Sequence, residues 1–227
     1  MNWLRLRSRG RAAVAPPGDD AELTAARVRM VREQIESRGL RDPELLRAFS
    51  SVARHLFVET GSPYADEALP LPAGQTISQP YIVARMTELL DLRSTDRVLE
   101  VGTGSGYQAA VLGQIVADVV TVERHASLAQ AARVLLARLG YRNVRVVHDD
   151  ASLGYAAKAP YDRILVTAAT PQIDPALGAQ LTPAGRIVAP VGDEEVQELV
   201  VRHANGREER HGAVRFVPLR GEAGFRS

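Results

Sequence analysis

The sequence predicts an α/β fold: a mostly parallel, doubly wound sheet that ends in an antiparallel hairpin and carries a helical layer on its N-terminal side. Three observations point there. From Asp96 onward, short β-branched runs alternate with helical stretches, the rhythm of βαβ units. A glycine triplet sits where the first such run meets the first such helix. Two strand-like segments around Asn205-Gly206, a strong hairpin signal, close the chain. The 227 residues suit one domain with an extension. The expected division is a basic flexible tail (1–21), a single domain (22–220) and a short C-terminal tail (221–227). Within the domain, 22–95 forms the helical and substrate-loop layer and 96–220 the ligand-binding core.

Residues 22–38 read as a helix, with Leu23, Val31 and Ile35 near helical spacing and Gly39 as its stop. Asp42-Pro43 is an N-cap followed by Pro at the first helical position, and Leu45, Leu46 and Phe49 give that short helix its apolar side. Residues 59–74, rich in Pro, Gly and small polar residues, read as a loop. Pro80 opens a helix that buries Ile82, Val83, Met86, Leu89 and Leu90. Strands are expected at 97–101, 119–123, 144–148, 163–167 and 186–189, and helices at 107–117 and 174–181. Leu128, Ala132, Leu135 and Leu139 mark a further helix, with Ser127-x-x-Gln130 as its capping box and Gly140 as its end. Residues 198–203 and 208–217 are the closing pair.

Composition narrows the function. Lys and Arg number 28 against 27 Asp and Glu, a formal net charge of +1, so no overall field points to nucleic acid or a membrane surface. Cysteine is absent, which removes disulfides, thiolate zinc sites and a cysteine nucleophile. No apolar run is long enough to span a bilayer. The opening MNWLRLRSRGRAAVAPP is basic and lacks an apolar h-region, so no secretory signal is expected and the cytoplasm is the expected compartment. The five His residues show no metal-ligand spacing, and no metal is expected.

Glu100-Val101-Gly102-Thr103-Gly104-Ser105-Gly106 follows a strand and opens a helix. Its G-x-G-x-G spacing is one residue tighter than the dinucleotide fingerprint. A carboxylate directly before the loop repels a pyrophosphate and suits a ligand with an ammonium group, as in S-adenosylmethionine, which has an α-amino group, a sulfonium and no phosphate. Glu123 ends the second strand, where doubly wound folds place a ribose-binding acid; it reads equally as a solvated acid at a strand end. Asp150 follows the third strand and can accept from an adenine amino group, cap a helix, or do both. Three acids at three successive strand ends point to a nucleoside-type ligand.

Upstream, Pro80 at a helix start puts Ser78 near free backbone N–H groups and the positive dipole end. That is a natural place for a carboxylate, although Ser78 as a simple helix cap accounts for the pattern as well.

GQTISQPYIVARMTELL followed by RVLEVGTGSGYQAA closely resembles the protein-L-isoaspartate O-methyltransferase family. The resemblance spans about 31–219 and includes RHLFV (54–58), APYDRILVTAA (159–169), LTPAGR (181–186) and VRFVPL (214–219). It implies a Rossmann-like class I methyltransferase core and S-adenosylmethionine as donor. The implied acceptor is the α-carboxylate of L-isoaspartyl residues in damaged proteins and peptides, with neither nucleic acid nor a membrane as partner and the monomer as the working unit. By residue, the resemblance makes Ser78 the active-site serine and Glu100, Gly102, Gly104 and Gly106 the donor loop, with Val101, Thr103 and Ser105 between them. Glu123 becomes the ribose acid and Asp150 the adenine-side acid. Thr76, Ile77, Val166, Thr167, Ala168 and Val217 would line the acceptor pocket. Two segments depart from the family pattern. Asp149-Asp150-Ala151 stands where Gly-Asp-Gly is usual, and Pro72-Ala73 replaces a stretch that usually contains Gly.

Methyl transfer to a carboxylate already ionised at pH 7 needs no general base, in keeping with the lack of an evident Ser-His-Asp arrangement. Ser78 would then orient the carboxylate by a hydrogen bond. Two other readings stand beside this one: a methyltransferase of the same fold acting on another peptide carboxylate or a small molecule, and a non-catalytic adaptor that binds the donor or damaged peptides. Asn205-Gly206 is also a favourable place for succinimide formation, because Gly offers no side-chain hindrance.

Overall fold

Asp20 accepts the Leu23 amide at 2.8 Å and so starts helix α1 (Ala21–Met30). The structure is a computed structural model and describes residues 20–226, so nearly all of the expected basic tail lies outside the described residues. The expected helix over 22–38 continues past α1 in a looser π-turn (Val31–Ile35) and a 3₁₀ turn (Glu36–Arg38). Gly39, at φ 95°, ends it: its amide reaches the Glu36 carbonyl and that of Leu40 the Ile35 carbonyl, the double bond of a Schellman stop. Helix α2 (Pro43–Ser51) starts as expected, with the Asp42 side chain accepting from the Leu45 amide.

The segment 59–74, expected as a loop, carries one short strand. β1 (Leu69–Pro70) pairs antiparallel with β2 (Thr76–Ile77), Leu69 opposite Ile77. Two-residue strands have no alternation to read, which is why the sequence pattern hides them. Helix α3 (Pro80–Leu89) follows. Arg163 holds its far end, reaching the Leu90 carbonyl at 2.6 Å and the Asp91 carbonyl at 2.9 Å.

The main sheet has seven strands in the order β5-β4-β3-β6-β7-β8-β9. They are β3 (Arg97–Val101), β4 (Asp118–Glu123), β5 (Val144–His148), β6 (Tyr161–Val166), β7 (Leu181–Gly192), β8 (Gln197–His203) and β9 (Glu208–Val214). The first five run parallel, and β8 and β9 are antiparallel to their neighbours. β7 is longer than the expected 186–189 because Leu181 pairs with Tyr161 ahead of an irregularity spanning 182–185, and Pro190 to Gly192 continue the pairing with β8. Helices α4 (Tyr107–Ile115), α5 (Ala126–Arg138) and α6 (Pro175–Gly178) complete the fold. The expected capping box at Ser127 and Gln130 does not form. The N-cap of α5 is His125, Ser127 is already helical, and the His125 amide donates to Glu123 at 2.9 Å.

Strand alternation sorts the core onto two faces. Val98, Val119 and Leu165 pack with Met86 and Leu90 on one side, and Leu99, Val120 and Ile164 with Leu177 on the other. The N-terminal helices form a third apolar layer against α4 and α5. The chain runs outward from β3 through β4 to β5 and then crosses to β6, so the strand order reverses at β3. Ligands of such sheets bind beyond the carboxyl ends of the strands at that reversal.

The closing hairpin forms at the expected Asn205-Gly206. Ala204 to Arg207 connect the strands, the Gly206 amide donates to the His203 carbonyl at 2.9 Å, and Gly206 alone takes the left-handed conformation, at φ 85°. No helix among the described residues is long and apolar enough to cross a membrane.

Candidate active site

Five residues separate the end of β3 from the first residue of α4. Gly102, Gly104 and Gly106 turn the chain there with φ of 96°, 52° and 87°. A side chain at Gly102 is excluded twice over, since a Cβ would fall 2.5 Å from the Thr167 hydroxyl oxygen. That hydroxyl lies 2.9 Å from the Val101 carbonyl and 2.7 Å from the Gly102 carbonyl, its one proton serving both. The end of β6 is thereby tied to the loop after β3.

Two acids sit under this loop. Glu100 falls on the same sheet face as Val98 and is wholly buried, and neither carboxylate oxygen has a hydrogen-bond partner among the described residues. Burial, opposed by the nearby Thr121 hydroxyl and reinforced by the neighbouring charge of Glu123, pushes its pKa up to about 8. Glu123 spends one lone pair of each oxygen on the backbone, Oε2 accepting the Gly104 amide and Oε1 the His125 amide, both at 2.9 Å. The remaining lone pairs are free for a ligand.

The facing wall is built from β2 and its continuation. Thr76, Ile77 and Ser78 line the same cavity as Glu100, the glycine loop, Glu123, Thr167, Ala168 and Val217. Ser78 does not cap α3. The N-cap is Gln79, with no side-chain hydrogen bond, and the Ser78 hydroxyl has no partner among the described residues. The Tyr81 amide at the helix N-terminus is taken by Asp66, which accepts it at 3.1 Å. That end of α3 therefore meets a carboxylate of the protein itself, and Ser78 is the donor left facing the cavity. The Arg54 guanidinium fixes the Ser78 carbonyl at 2.8 Å. Among the described residues, the only charged side chains in the lining are Glu100 and Glu123. Among the described residues the cavity thus presents acids and neutral donors and no cationic side chain.

Val101 and Val166 end their strands inside the core and do not line the cavity. Asp150 also lies outside the lining. Its exposed carboxylate accepts the Ser152 amide and, across the fold, the Glu222 amide, each at 2.9 Å; partial burial, the largest single effect, raises its pKa, but these bonds and the Arg124 charge together hold it down. The segment expected as a C-terminal tail is thus fastened to the loop after β5, and the Ala223 amide adds a bond to the Ser152 hydroxyl. Ala151, at a position where the family usually has Gly, buries its methyl group in the core.

Gln75, Val83, Met86, Tyr107, Gln108 and Phe216 also line the cavity and were not singled out from the sequence. Tyr107 directly follows the last loop glycine, and Val83 and Met86 lie one turn apart on α3, so these three had a local signal. Phe216 had none. It is brought in by the Ala169 amide bonding to the Val217 carbonyl and the Leu219 amide to the Ala169 carbonyl.

A family model described as Protein-L-isoaspartate(D-aspartate) O-methyltransferase (PCMT) matches residues 25–224. A Protein-L-isoaspartate O-methyltransferase of Methanoregula boonei is 52% identical over 205 residues, covering 88% of this chain and 94% of its own length. One of Methanospirillum hungatei is 53% identical over 208 residues, covering 88% and 95%. Among solved structures, a protein-L-isoaspartate O-methyltransferase superposes with a TM-score of 0.79 at 26% identity, over 87% of this chain and 67% of the other. A Plasmodium falciparum protein, solved in complex with S-adenosyl-L-homocysteine, gives a TM-score of 0.74 at 21% identity over 84% and 96%, a likeness of fold.

Proposed function

The chain belongs to the protein-L-isoaspartate(D-aspartate) O-methyltransferase family, and we propose that it uses S-adenosylmethionine to esterify the α-carboxylate of L-isoaspartyl residues in damaged proteins. One observation supports this most directly. The free Ser78 hydroxyl shares a cavity with the unpartnered, buried Glu100 carboxylate, and that cavity holds two acids and no cationic side chain. A donor carrying an ammonium and a sulfonium suits such a lining, whereas a phosphorylated nucleotide would be repelled.

In this reading Glu100 pairs with the donor's ammonium group, the free lone pairs of Glu123 accept from its ribose hydroxyls, and the glycine loop lets it approach the backbone. Asp150 would contribute to the adenine side through the loop it holds and through the lone pairs left beside its bonds to Ser152 and Glu222. Thr76, Ile77, Thr167, Ala168 and Val217 flank the acceptor.

The acceptor carboxylate is ionised at neutral pH and needs no base. Its oxygen forms a bond to the methyl carbon as the carbon–sulfur bond breaks, the electron pair returning to sulfur. The protein supplies alignment, which removes much of the entropic barrier. The Ser78 hydroxyl orients the carboxylate with one neutral hydrogen bond, weak enough to leave the attacking oxygen nucleophilic. In the ester a neighbouring backbone nitrogen displaces methanol to give a succinimide, and hydrolysis returns part of it to normal aspartate.

The deciding test is tritiated methyl transfer to a matched peptide pair, one with L-isoaspartate and one with aspartate. Base-labile label on the isoaspartyl peptide alone is the expected result. Label on neither, with donor binding intact, would assign the chain a different acceptor. No donor binding would overturn the enzymatic reading.

A further inference from the structure

Arg54 is among the largest fully buried side chains among the described residues, and no carboxylate lies within 4.0 Å of its guanidinium. Nε donates to the Pro63 carbonyl at 2.7 Å and one terminal nitrogen to the Ser78 carbonyl at 2.8 Å, while the other terminal nitrogen has no partner among the described residues. The guanidinium carbon lies 4.9 Å from the centroid of the Tyr107 ring. Burial lowers the pKa of Arg54, as expected of a cation shielded from water. An unpaired buried charge is costly, and an apolar side chain would fill the same space at less cost to the fold.

The three contacts explain what the charge achieves. Pro63 lies in the loop before β1, Ser78 ends the strand that faces the cavity, and Tyr107 opens α4 directly after the glycine loop. The Phe49 and Phe57 rings hold Tyr107 edge-on, so the ring is a fixed platform. A planar guanidinium with donors in a rigid fork can fix the Ser78 peptide relative to that platform in one orientation. Among the described residues the Ser78 side chain and the Gln79 cap make no hydrogen bond that does so.

We propose that Arg54 is a positioning residue: it fixes the Ser78 peptide against the start of α4 and so aims the Ser78 hydroxyl at the acceptor carboxylate beside the donor loop. The inference rests on the proposed function and deepens it. Arg54 acts through Ser78, so its effect falls on turnover and acceptor alignment and leaves donor affinity in place.

The test is a double-mutant cycle on the full chain with Arg54→Lys and Ser78→Ala, reading kcat and KM on an L-isoaspartyl peptide, donor Kd by calorimetry and Tm. Arg54→Met is the harsher companion and Arg54→Lys the variant expected to fold. Arg54→Lys should lower kcat by on the order of 10-fold, with donor Kd within about twofold. In the Ser78→Ala background the same change should move kcat by less than about twofold, because the hydroxyl it aims is gone. An equal loss in both backgrounds, or a fall in Tm with kcat unchanged, would overturn the proposal. Wild-type protein inactive on the peptide would instead refute the proposed function, which keeps the two failures distinct.

Discussion

Glu123 Oε2 accepts the Gly104 amide at 2.9 Å, so an acid at the end of one strand holds the glycine loop that follows the neighbouring strand. Its other oxygen accepts the His125 amide and starts the next helix. In Glu123→Gln an amide group replaces one of these acceptors and must face a backbone N–H. Donor affinity should fall at least about 10-fold, and stability by about 1–3 kcal/mol. Calorimetric titration and thermal unfolding check the two losses separately. Weaker donor binding with unchanged Tm would mean that Glu123 meets the ligand without supporting the loop.

Ser78→Ala should cut turnover by roughly 5- to 100-fold, the range for losing one hydrogen bond to a charged group. Donor Kd should stay within about twofold, since the hydroxyl has no internal partner to lose. Loss of donor affinity in this variant would show that Ser78 belongs to the donor side.

Glu100 sets a pH dependence. A glutamate ordinarily titrates near 4.5, whereas burial moves this one to about 8 in the donor-free protein. Between those values the folded chain keeps a proton that the unfolded chain has released. Stability without donor therefore falls as pH rises from about 4.5 to about 8, and Glu100→Gln should flatten that slope. An ammonium placed beside Glu100 favours its ionised form, so donor binding at pH 7 should release a proton. Calorimetry in buffers of different ionisation enthalpy counts it, and zero release would remove Glu100 from the ammonium contact.

Ala73 lies at φ 60°, ψ 26°, in the left-handed region, where the family usually supplies a glycine nearby. The methyl group strains the turn between β1 and β2. Ala73→Gly should raise stability by up to about 1 kcal/mol, the left-handed penalty less the extra chain entropy of glycine. Thermal unfolding decides, and a lower Tm would show that the strain is relieved elsewhere.

Asn205 is exposed at the hairpin tip, next to Gly206. Attack of the Gly206 nitrogen on the Asn205 side-chain carbonyl, with loss of ammonia, needs the turn bond from that nitrogen to the His203 carbonyl to open and the Asn205 side chain to leave the Arg207 amide, from which it accepts at 3.0 Å. Aged preparations should carry isoaspartate at 205 and accept methyl groups from fresh protein. Peptide mapping that finds unchanged Asn205 after prolonged incubation at alkaline pH would show that the turn protects it.

The doubly wound order, the hairpin and the strand–glycine–helix junction were legible because each rests on local chemistry. Short β-branched runs, buried on both faces, define β3, β4 and β6, and only glycine takes three positive φ angles in five residues. Ser78, Glu100, Glu123, Thr167 and Val217 were singled out from motifs, and all of them line one cavity. What the sequence left open were choices between partners distant along the chain. Whether Ser78 caps a helix was settled by Asp66, fifteen residues upstream of Tyr81, taking that helix's amide. That the Asp150 carboxylate ties the C-terminal segment to the loop after β5 depends on Glu222, seventy-two residues away, donating to it. Arg54 stood in a recognisable segment, but its burial against Ser78 and Tyr107 appears only when the N-terminal layer closes on α4. Periodicity and turn chemistry act over a few residues and fix the elements. Hydrogen-bond partners across the fold are decided by packing, and packing exists only in three dimensions.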